Sequence, residues 1–228
     1  MAKAGNPSRL GTHAGIEGTA TRSALTEAAV VALREEGFSG ASARAIARTA
    51  GVNQALVFYH FGSVANLLLA ALDETSRLRM DRYAEAVEAA DGLAGLADVA
   101  ADIFRQDLDG GHLAVLAEMI AGSSAVEGLG VEVAARVAPW IEFTERAVTT
   151  ALGDSPLAGV LPAGDVAYAI VALYLGIEML ANLDGDRSRA ESLFATAGQL
   201  AAAVAGIGAS FAVTASPTPQ ATTKEPTP

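Results

Sequence analysis

Four side chains in the first quarter of the chain could do hydrogen-bonding chemistry at close spacing: Arg44, Gln54, Tyr59 and His60. A Gln can bond an adenine edge bidentately, an Arg can reach guanine or a phosphate, and Tyr and His can donate to phosphate oxygens. All four fall in the stretch ARAIARTAGVNQALVFYHF, Ala43 to Phe61, where a chain with only 5% aromatic residues crowds Phe58, Tyr59 and Phe61 together.

Charge singles out the same region. The net charge of the 228-residue chain is −11, yet residues 1 to 61 hold six Lys/Arg against four Glu, a net of +2. The remainder holds nine basic and 22 acidic side chains, a net of −13. A polyanionic partner is therefore expected to meet the N-terminal quarter.

The elements that must position these groups follow from local chemistry. Ala43 to Ala50 is too short to be a stable helix alone, since isolated helices under about 12 residues are marginal in water. Gly51 suits the left-handed position that turns the chain, Val52 can plug the corner, and Asn53 can cap the next helix through its side chain. The inward set is Ile46, Ala47, Ala50, Val52, Val57 and Phe61. This is the layout of a helix-turn-helix spanning about 42 to 61, with Gln54 to His60 as its second helix and Gln54, Ala55, Tyr59 and His60 outward. Phe61 reads as core, and Phe58 fits either side. A helical corner with Gly at the bend occurs in many all-α proteins, so on spacing alone Tyr59 and His60 also fit a helix-packing seam.

Composition sets the wider frame. With 51% hydrophobic residues, no cysteine and long Ala/Leu/Val tracts, the chain reads as an all-α protein without disulfides or thiolate metal sites. The N-terminus lacks an apolar signal segment, and the most apolar run, Val166 to Ile177, is short of the roughly 20 residues that span a bilayer. A cytoplasmic protein with no membrane partner is expected. The Gly/Ala/Thr-rich start and the Pro/Thr-rich end, TASPTPQATTKEPTP, are expected to be disordered. Between them helices are predicted at about 22 to 36, ended by Gly37, then two short ones, then Ser63 to Ala89, 94 to 108, 112 to 121, 131 to 152 with Pro139 kinking or splitting it, 166 to 182 and 188 to 208. Ser188 and Glu191 fit a capping box for the last.

The residues from Arg22 to Leu68, RSALTEAAVVALREEGFSGASARAIARTAGVNQALVFYHFGSVANLL, resemble the DNA-binding domain of the tetracycline-repressor (TetR/AcrR) family. The shared features are an amphipathic first helix ending in Gly-aromatic, a Ser-x-Arg-x-Ile-Ala-x-x-Ala-Gly-Val core, aromatic-aromatic-His-Phe, and a Ser-capped fourth helix. The resemblance implies phosphate contacts from Ser42, Asn53, Tyr59 and His60, and base contacts from Arg44, Gln54, Ala55 and Leu56. Two positions depart from the family. Phe58 stands where Tyr is usual, and Val64-Ala65 replaces a Lys-Glu pair. Both predict weaker binding or a shallower salt dependence, since each lost phosphate contact removes about 0.9 from the logarithmic salt slope.

A helix-turn-helix reads few base pairs, so a palindromic double-stranded operator requires two copies held about 34 Å apart. The apolar helices near 166 to 182 and 188 to 208 are the expected dimer contact, and the resemblance implies a four-helix bundle there. It also implies a site for an unknown small-molecule effector among the middle helices. The candidates are Phe104, His112, Leu116, Met119, Trp140, Phe143, Tyr168, Tyr174 and Met179, with Glu118 and Glu178 as polar anchors. The chain then divides into an arm (1–18), a helix-turn-helix domain (19–79), a ligand-binding and dimerisation domain (80–212) and a tail (213–228).

There is no nucleophile elbow, His-Glu-x-x-His, P-loop or Gly-x-Gly-x-x-Gly, and His13, His60 and His112 are far apart. Asp184 begins like a calcium loop but Arg189 stands where glycine is needed. No enzyme activity, metal or cofactor is expected. The reading is a homodimeric repressor released by a small molecule; its rival is a helical ligand-binding or scaffolding protein whose helix-turn-helix no longer holds DNA.

Overall fold

The computed structural model describes residues 8–110, 112–153 and 156–214. Among them the chain is all-helical: α1 (Ser8–Gly40), α2 (Ala43–Ala50), α3 (Ala55–Phe61), α4 (Val64–Glu88), α5 (Gly92–Gly110), α6 (His112–Gly122), α7 (Leu129–Leu152), a 3₁₀ turn (Pro156–Gly159), α8 (Ala163–Asp184) and α9 (Ser188–Thr214).

α1 buries the stripe Leu25, Ala28, Ala29, Ala32 and Leu33, spaced at three, one, three and one residues along one helical face. It packs against α2 and α4, and its C-terminal end against α6. One continuous core results, in which Ile46, Val57, Phe61, Leu67 and Leu68 of the small N-terminal helices join Val115, Leu116 and Met119 of α6 and Leu129 and Val133 of α7. The two parts of the chain thus share apolar interior rather than meeting only through a linker.

The joint between α1 and α6 depends on two glycines. Gly37 interrupts α1 at φ 71°, ψ 179°, a backbone region essentially confined to glycine. The turn it permits aims the Phe38 N–H at Glu118 Oε2 of α6, 2.8 Å away. Gly122 lies so close beneath the Phe38 ring that a Cβ there would fall 2.2 Å from it.

Beyond this joint α5 lies along α9, and α7 along α8. Arg136 of α7 also reaches Asp73 of α4, at 2.9 Å from Nε to Oδ1. α7 runs unbroken through Pro139, so the expected split does not occur.

Three expectations are corrected. The first helix begins at Ser8 instead of Arg22, so residues 8–18 are helix rather than disordered. Extending a helix from a nucleus already fixed by packing costs far less than starting one, which lets a Gly-rich segment continue it. Residues 1–7 and 215–228 lie outside the described residues, and Val213 and Thr214 of the expected tail complete α9. The cap of α9 is not the Ser188/Glu191 box: Asp186 Oδ1 accepts from both the Ser188 N–H (2.9 Å) and its hydroxyl (2.6 Å), and the short Asp side chain competes successfully for the first free donor. Finally, the apolar window of α8 is longer than expected. Ala163–Ala181 is 19 residues of mean hydropathy 1.5, enough by length and composition to cross a membrane, although only 11% of it is buried within this chain.

Replacing Gly37 by Ala should strain the positive φ and press a methyl to 3.0 Å from Glu118 Oε2. We expect a loss on the order of 1–3 kcal/mol, read as a lower urea midpoint at unchanged slope. A midpoint equal to that of the parent chain would mean the joint is not under this constraint.

Candidate nucleic-acid interface and effector core

The helix-turn-helix is built by caps. Ser42 precedes α2 in extended backbone, and its Oγ accepts from the Ala45 N–H at 3.2 Å. Gly51 ends α2 at φ 68°, ψ 26°, the left-handed closure, after which the Val52 N–H returns to the Ala47 carbonyl at 3.0 Å. Asn53 Oδ1 then accepts from the Ala55 N–H at 2.8 Å and starts α3. Ser63 repeats the device for α4 by accepting from the Asn66 N–H at 3.1 Å. With eight and seven residues, α2 and α3 owe their persistence to these caps and to burial of Ile46, Ala47, Val57 and Phe61.

Arg22 fixes the far end of α3. Its Nη1 donates to the His60 carbonyl at 2.9 Å while its guanidinium lies 4.3 Å from the centroid of the Phe61 ring. Held this way, α3 presents one outer face. Gln54 and Ala55 are exposed, Tyr59 is 81% exposed, and Phe58 is 49% exposed. Phe58 thereby resolves to the outer side, and two large rings on one short exposed face mark a contact surface. Ser42, Arg44 and Asn53 are exposed beside it, whereas Leu56 and His60 are half-buried and Leu56 packs on the core. The face therefore combines amide, hydroxyl and guanidinium donors with aromatic edges, chemistry suited to base edges and phosphate oxygens.

A second constellation lies in the C-terminal helices and was legible only in part. Asp107 of α5, fully buried, accepts from Arg79 Nε at 2.9 Å, from Arg79 Nη2, from the Tyr83 hydroxyl at 2.7 Å and from the Tyr174 hydroxyl at 2.6 Å. One carboxylate thus joins α4, α5 and α8. The Arg79 guanidinium also lies 4.5 Å from the Trp140 ring centroid on α7, and Phe143 stands 6.1 Å from Trp140. Phe104 completes the wall, edge to face with Tyr174 at 5.9 Å.

Glu178, one turn beyond Tyr174, has 0% exposure and receives no hydrogen bond from the protein on either carboxylate oxygen. The Tyr174 hydroxyl lies close enough to favour the ionised carboxylate weakly as a hydrogen-bonding neighbour, but its single proton is committed to Asp107 at 2.6 Å. Burial, reinforced by the negative charge of Asp107 and only partly opposed by Arg79, pushes the Glu178 carboxyl up to about 8. Burial likewise raises Tyr174, helped by the charges of Glu178 and Asp107, and pushes Tyr83 up to about 12.

The effector candidates named from sequence do not form one group. Phe104, Tyr174 and Glu178 surround this core, and Trp140 and Phe143 adjoin it through Arg79. Leu116 and Met119 belong to the core shared with α1, and Glu118 is spent on Phe38. Tyr168 and Met179 face outward at 64% and 50% exposure. The side chain of His112 lies outside the described residues. Sequence reasoning missed Arg79, Tyr83 and Asp107. A signal for the first two existed: Leu68, Leu72, Thr75, Arg79 and Tyr83 keep the buried spacing of α4 while its chemistry turns polar.

Residues 25–71 match the family profile described as bacterial regulatory proteins, tetR family. No curated protein sequence matches the chain. Solved structures do. A TetR-family transcriptional regulator from Cytophaga hutchinsonii superimposes with a TM-score of 0.69 at 15% identity, covering 83% of this chain and 96% of the other. The transcriptional regulator FadR of Bacillus subtilis, in complex with stearoyl-CoA, gives 0.64 at 16% identity over 78% and 95%. NemR of E. coli, in its reduced form, gives 0.64 at 18% identity over 78% and 95%.

The buried Glu178 has a measurable consequence for stability. Its folded value stands above its ordinary 4.5, so the folded state holds the proton more tightly and stability falls as pH rises from 4.5 to about 8. The slope should approach 1.4 kcal/mol per pH unit at most, by the worth of about one unit of pKa. Glu178→Gln should flatten the dependence in urea melts across that window. An unchanged slope in the variant would assign it to other groups.

Proposed function

We propose, from the tetR-family DNA-binding domain that this chain carries, that it is a homodimeric, cytoplasmic transcriptional repressor whose hold on a palindromic operator is relieved by a small molecule, and that it has no catalytic role. The observation that carries this reading is the outer face of α3. A seven-residue helix held by two caps and Arg22 leaves the side-chain polar groups of Gln54, which precedes it, and of Tyr59 uncommitted to its own fold, and it exposes Phe58 and Tyr59 at a net-basic end of an acidic chain.

In this reading Gln54, Arg44, Ala55 and Leu56 meet base edges, and Ser42, Asn53, Tyr59 and His60 meet the phosphates. The half-burial of Leu56 restricts it to an apolar edge contact such as a thymine methyl. The partner subunit covers the outer faces of α8 and α9, where Leu173, Leu180, Leu183 and Leu200 are 57%, 63%, 82% and 65% exposed. That face explains why α8 is apolar enough to pass as a membrane span while its buried carboxylate, Glu178, points into the protein.

Relief works through α4. Its first turns pack Leu67 and Leu68 into the reading head, and its later turns carry Arg79 and Tyr83 into the effector core. A ligand that alters the second end displaces the first, and a coupling of about 1–3 kcal/mol weakens operator binding about 5- to 150-fold. FadR, a structural neighbour crystallised with stearoyl-CoA, supports a ligand-responsive C-terminal domain.

Binding to the upstream intergenic DNA of its own gene, followed by fluorescence anisotropy against excess nonspecific competitor, tests the reading. Gln54→Ala should lower discrimination between operator and mismatched sites by about 1–3 kcal/mol, and Tyr59→Phe should weaken all sequences alike. If neither variant changes binding, α3 does not read DNA directly and the scaffold reading gains.

Leu180→Arg should convert the protein to a monomer in sedimentation with helix content unchanged, and operator affinity should drop at least as much as losing one half-site requires. A dimer that persists would move the interface away from α8.

A further inference from the structure

We propose that the core between α4, α5 and α8 is a recognition site for a small organic cation, an amine with a compact apolar or aromatic body, and that the Glu178 carboxylate is the group that binds its charge. This rests on the reading of the C-terminal helices as the effector domain, and it names the chemical class of the effector.

Charge balance carries the argument. Asp107 already accepts four hydrogen bonds, from Nε and Nη2 on one edge of Arg79 and from the hydroxyls of Tyr83 and Tyr174. Arg79 is thereby neutralised, and its remaining face lies against Trp140. Glu178 is the odd carboxylate: its two oxygens lack donors in a place with no exposure to solvent. The charged and titratable groups that act on Glu178, among the described residues, are Arg79 from α4, Asp107 from α5 and Tyr174 from its own helix, one cation against two carboxyl groups. An anionic ligand would find that cation already paired with Asp107 and would gain nothing from Glu178 in either of its protonation states. A neutral alcohol could satisfy one oxygen but would leave the charge. A protonated amine supplies both the missing N–H donors and the missing positive charge, which a buried carboxylate needs to stay ionised.

The walls suit the rest of such a ligand. Phe104 meets Tyr174 edge to face and Phe194 at 5.0 Å, and Ile177 packs beside them. Aromatic faces attract cations in desolvated places and accept apolar groups. Since Phe104 and Glu178 are both fully buried, a ligand enters by parting the helices around them, and contact with Glu178 shifts α8 against the Arg79 of α4. That movement acts on the helix that carries the reading head, so recognition and release of DNA are one event.

Proton linkage gives the site a signature. Without ligand the carboxyl carries its proton up to a pH of about 8, so binding a cation below that pH must expel the proton. Affinity should therefore rise with pH and level off above about 8.

The test uses the full-length protein and the fluorescence of Trp140, which is the only tryptophan and stacks on Arg79. Benzylamine is titrated beside benzyl alcohol, its neutral counterpart of similar shape. We expect saturable quenching by the amine, at least tenfold weaker binding of the alcohol, and up to about tenfold tighter amine binding per pH unit on going from about pH 6 to about pH 8. Glu178→Gln, checked for folding by circular dichroism, should lose the preference and the pH dependence. The proposal is overturned if the amine does not bind, if amine and alcohol bind alike, or if the variant binds the amine as the parent does. Should the variant not fold, the pH series on the parent chain decides alone. No arm involves DNA, so a failure here leaves the regulator reading standing, and a failure to bind any operator would leave this site standing.

Discussion

The buried carboxylate of Asp107 is the interaction on which the arrangement of the larger domain depends. It draws donors from α4 and α8 to a point on α5, and it does so with directional bonds rather than apolar contact. Such a cluster is weak evidence of stability, because desolvating the charges costs about as much as their attraction returns. What it supplies is position. An apolar α4 could slide or rotate against α5 by a fraction of a turn at small cost, whereas Arg79 and Tyr83, one turn apart, can both reach Asp107 in a single register. Losing one partner would strand a buried charge at a cost of about 3–5 kcal/mol. The rotation of α4, and with it the orientation of the reading head, is therefore tied to a polar centre far along the same helix.

The reading head was legible in the sequence because its determinants are local. Ser42, Gly51, Asn53 and Ser63 each act within a few residues of their own position, so cap chemistry and turn geometry can be read along the chain. Ala43–Ala50 came out with the expected ends for this reason, and the inward set followed from spacing. Phe58 could not be placed, since in a helix of only seven residues the boundary between inner and outer face shifts with a small rotation. That rotation is set by Arg22 gripping the His60 carbonyl across 38 residues, a contact no local pattern announces.

The larger domain was legible in outline only. Helix positions follow from apolar periodicity, yet which apolar residue faces which neighbour is a long-range question. Leu116 and Tyr168 look alike as candidates for a cavity wall, but one closes the core under α1 and the other faces outward. Asp107 is a single acid in a helix of mixed polarity, and only the meeting of three helices makes it a centre. Asp186 displaced Ser188 as the cap of α9 because two nearby capping residues compete, and the outcome depends on the path of the preceding turn. Glu178 was named for its type alone; its lack of a donor is a property of its surroundings.

The two attachments of the head explain how a change at the polar centre would be felt at α3. The first is α4 itself, continuous from Leu67 to Tyr83. The second is the joint where Glu118 of α6 holds the Phe38 N–H and Gly122 seats the Phe38 ring. With a single attachment the head could pivot and absorb a displacement of α4. With two, held by one shared core, α1 to α3 must move as a body when α4 shifts relative to α6, because close-packed interiors do not deform smoothly. The flexible alternative would need Gly37 to act as a hinge, but Ala32 and Leu33, one turn before it, are buried in the core shared with α4, and the residue after it is bonded to α6. A glycine pinned on both sides fixes an angle rather than relaxing it. A displacement of α8 against α4 would therefore be felt in the orientation of the exposed face of α3.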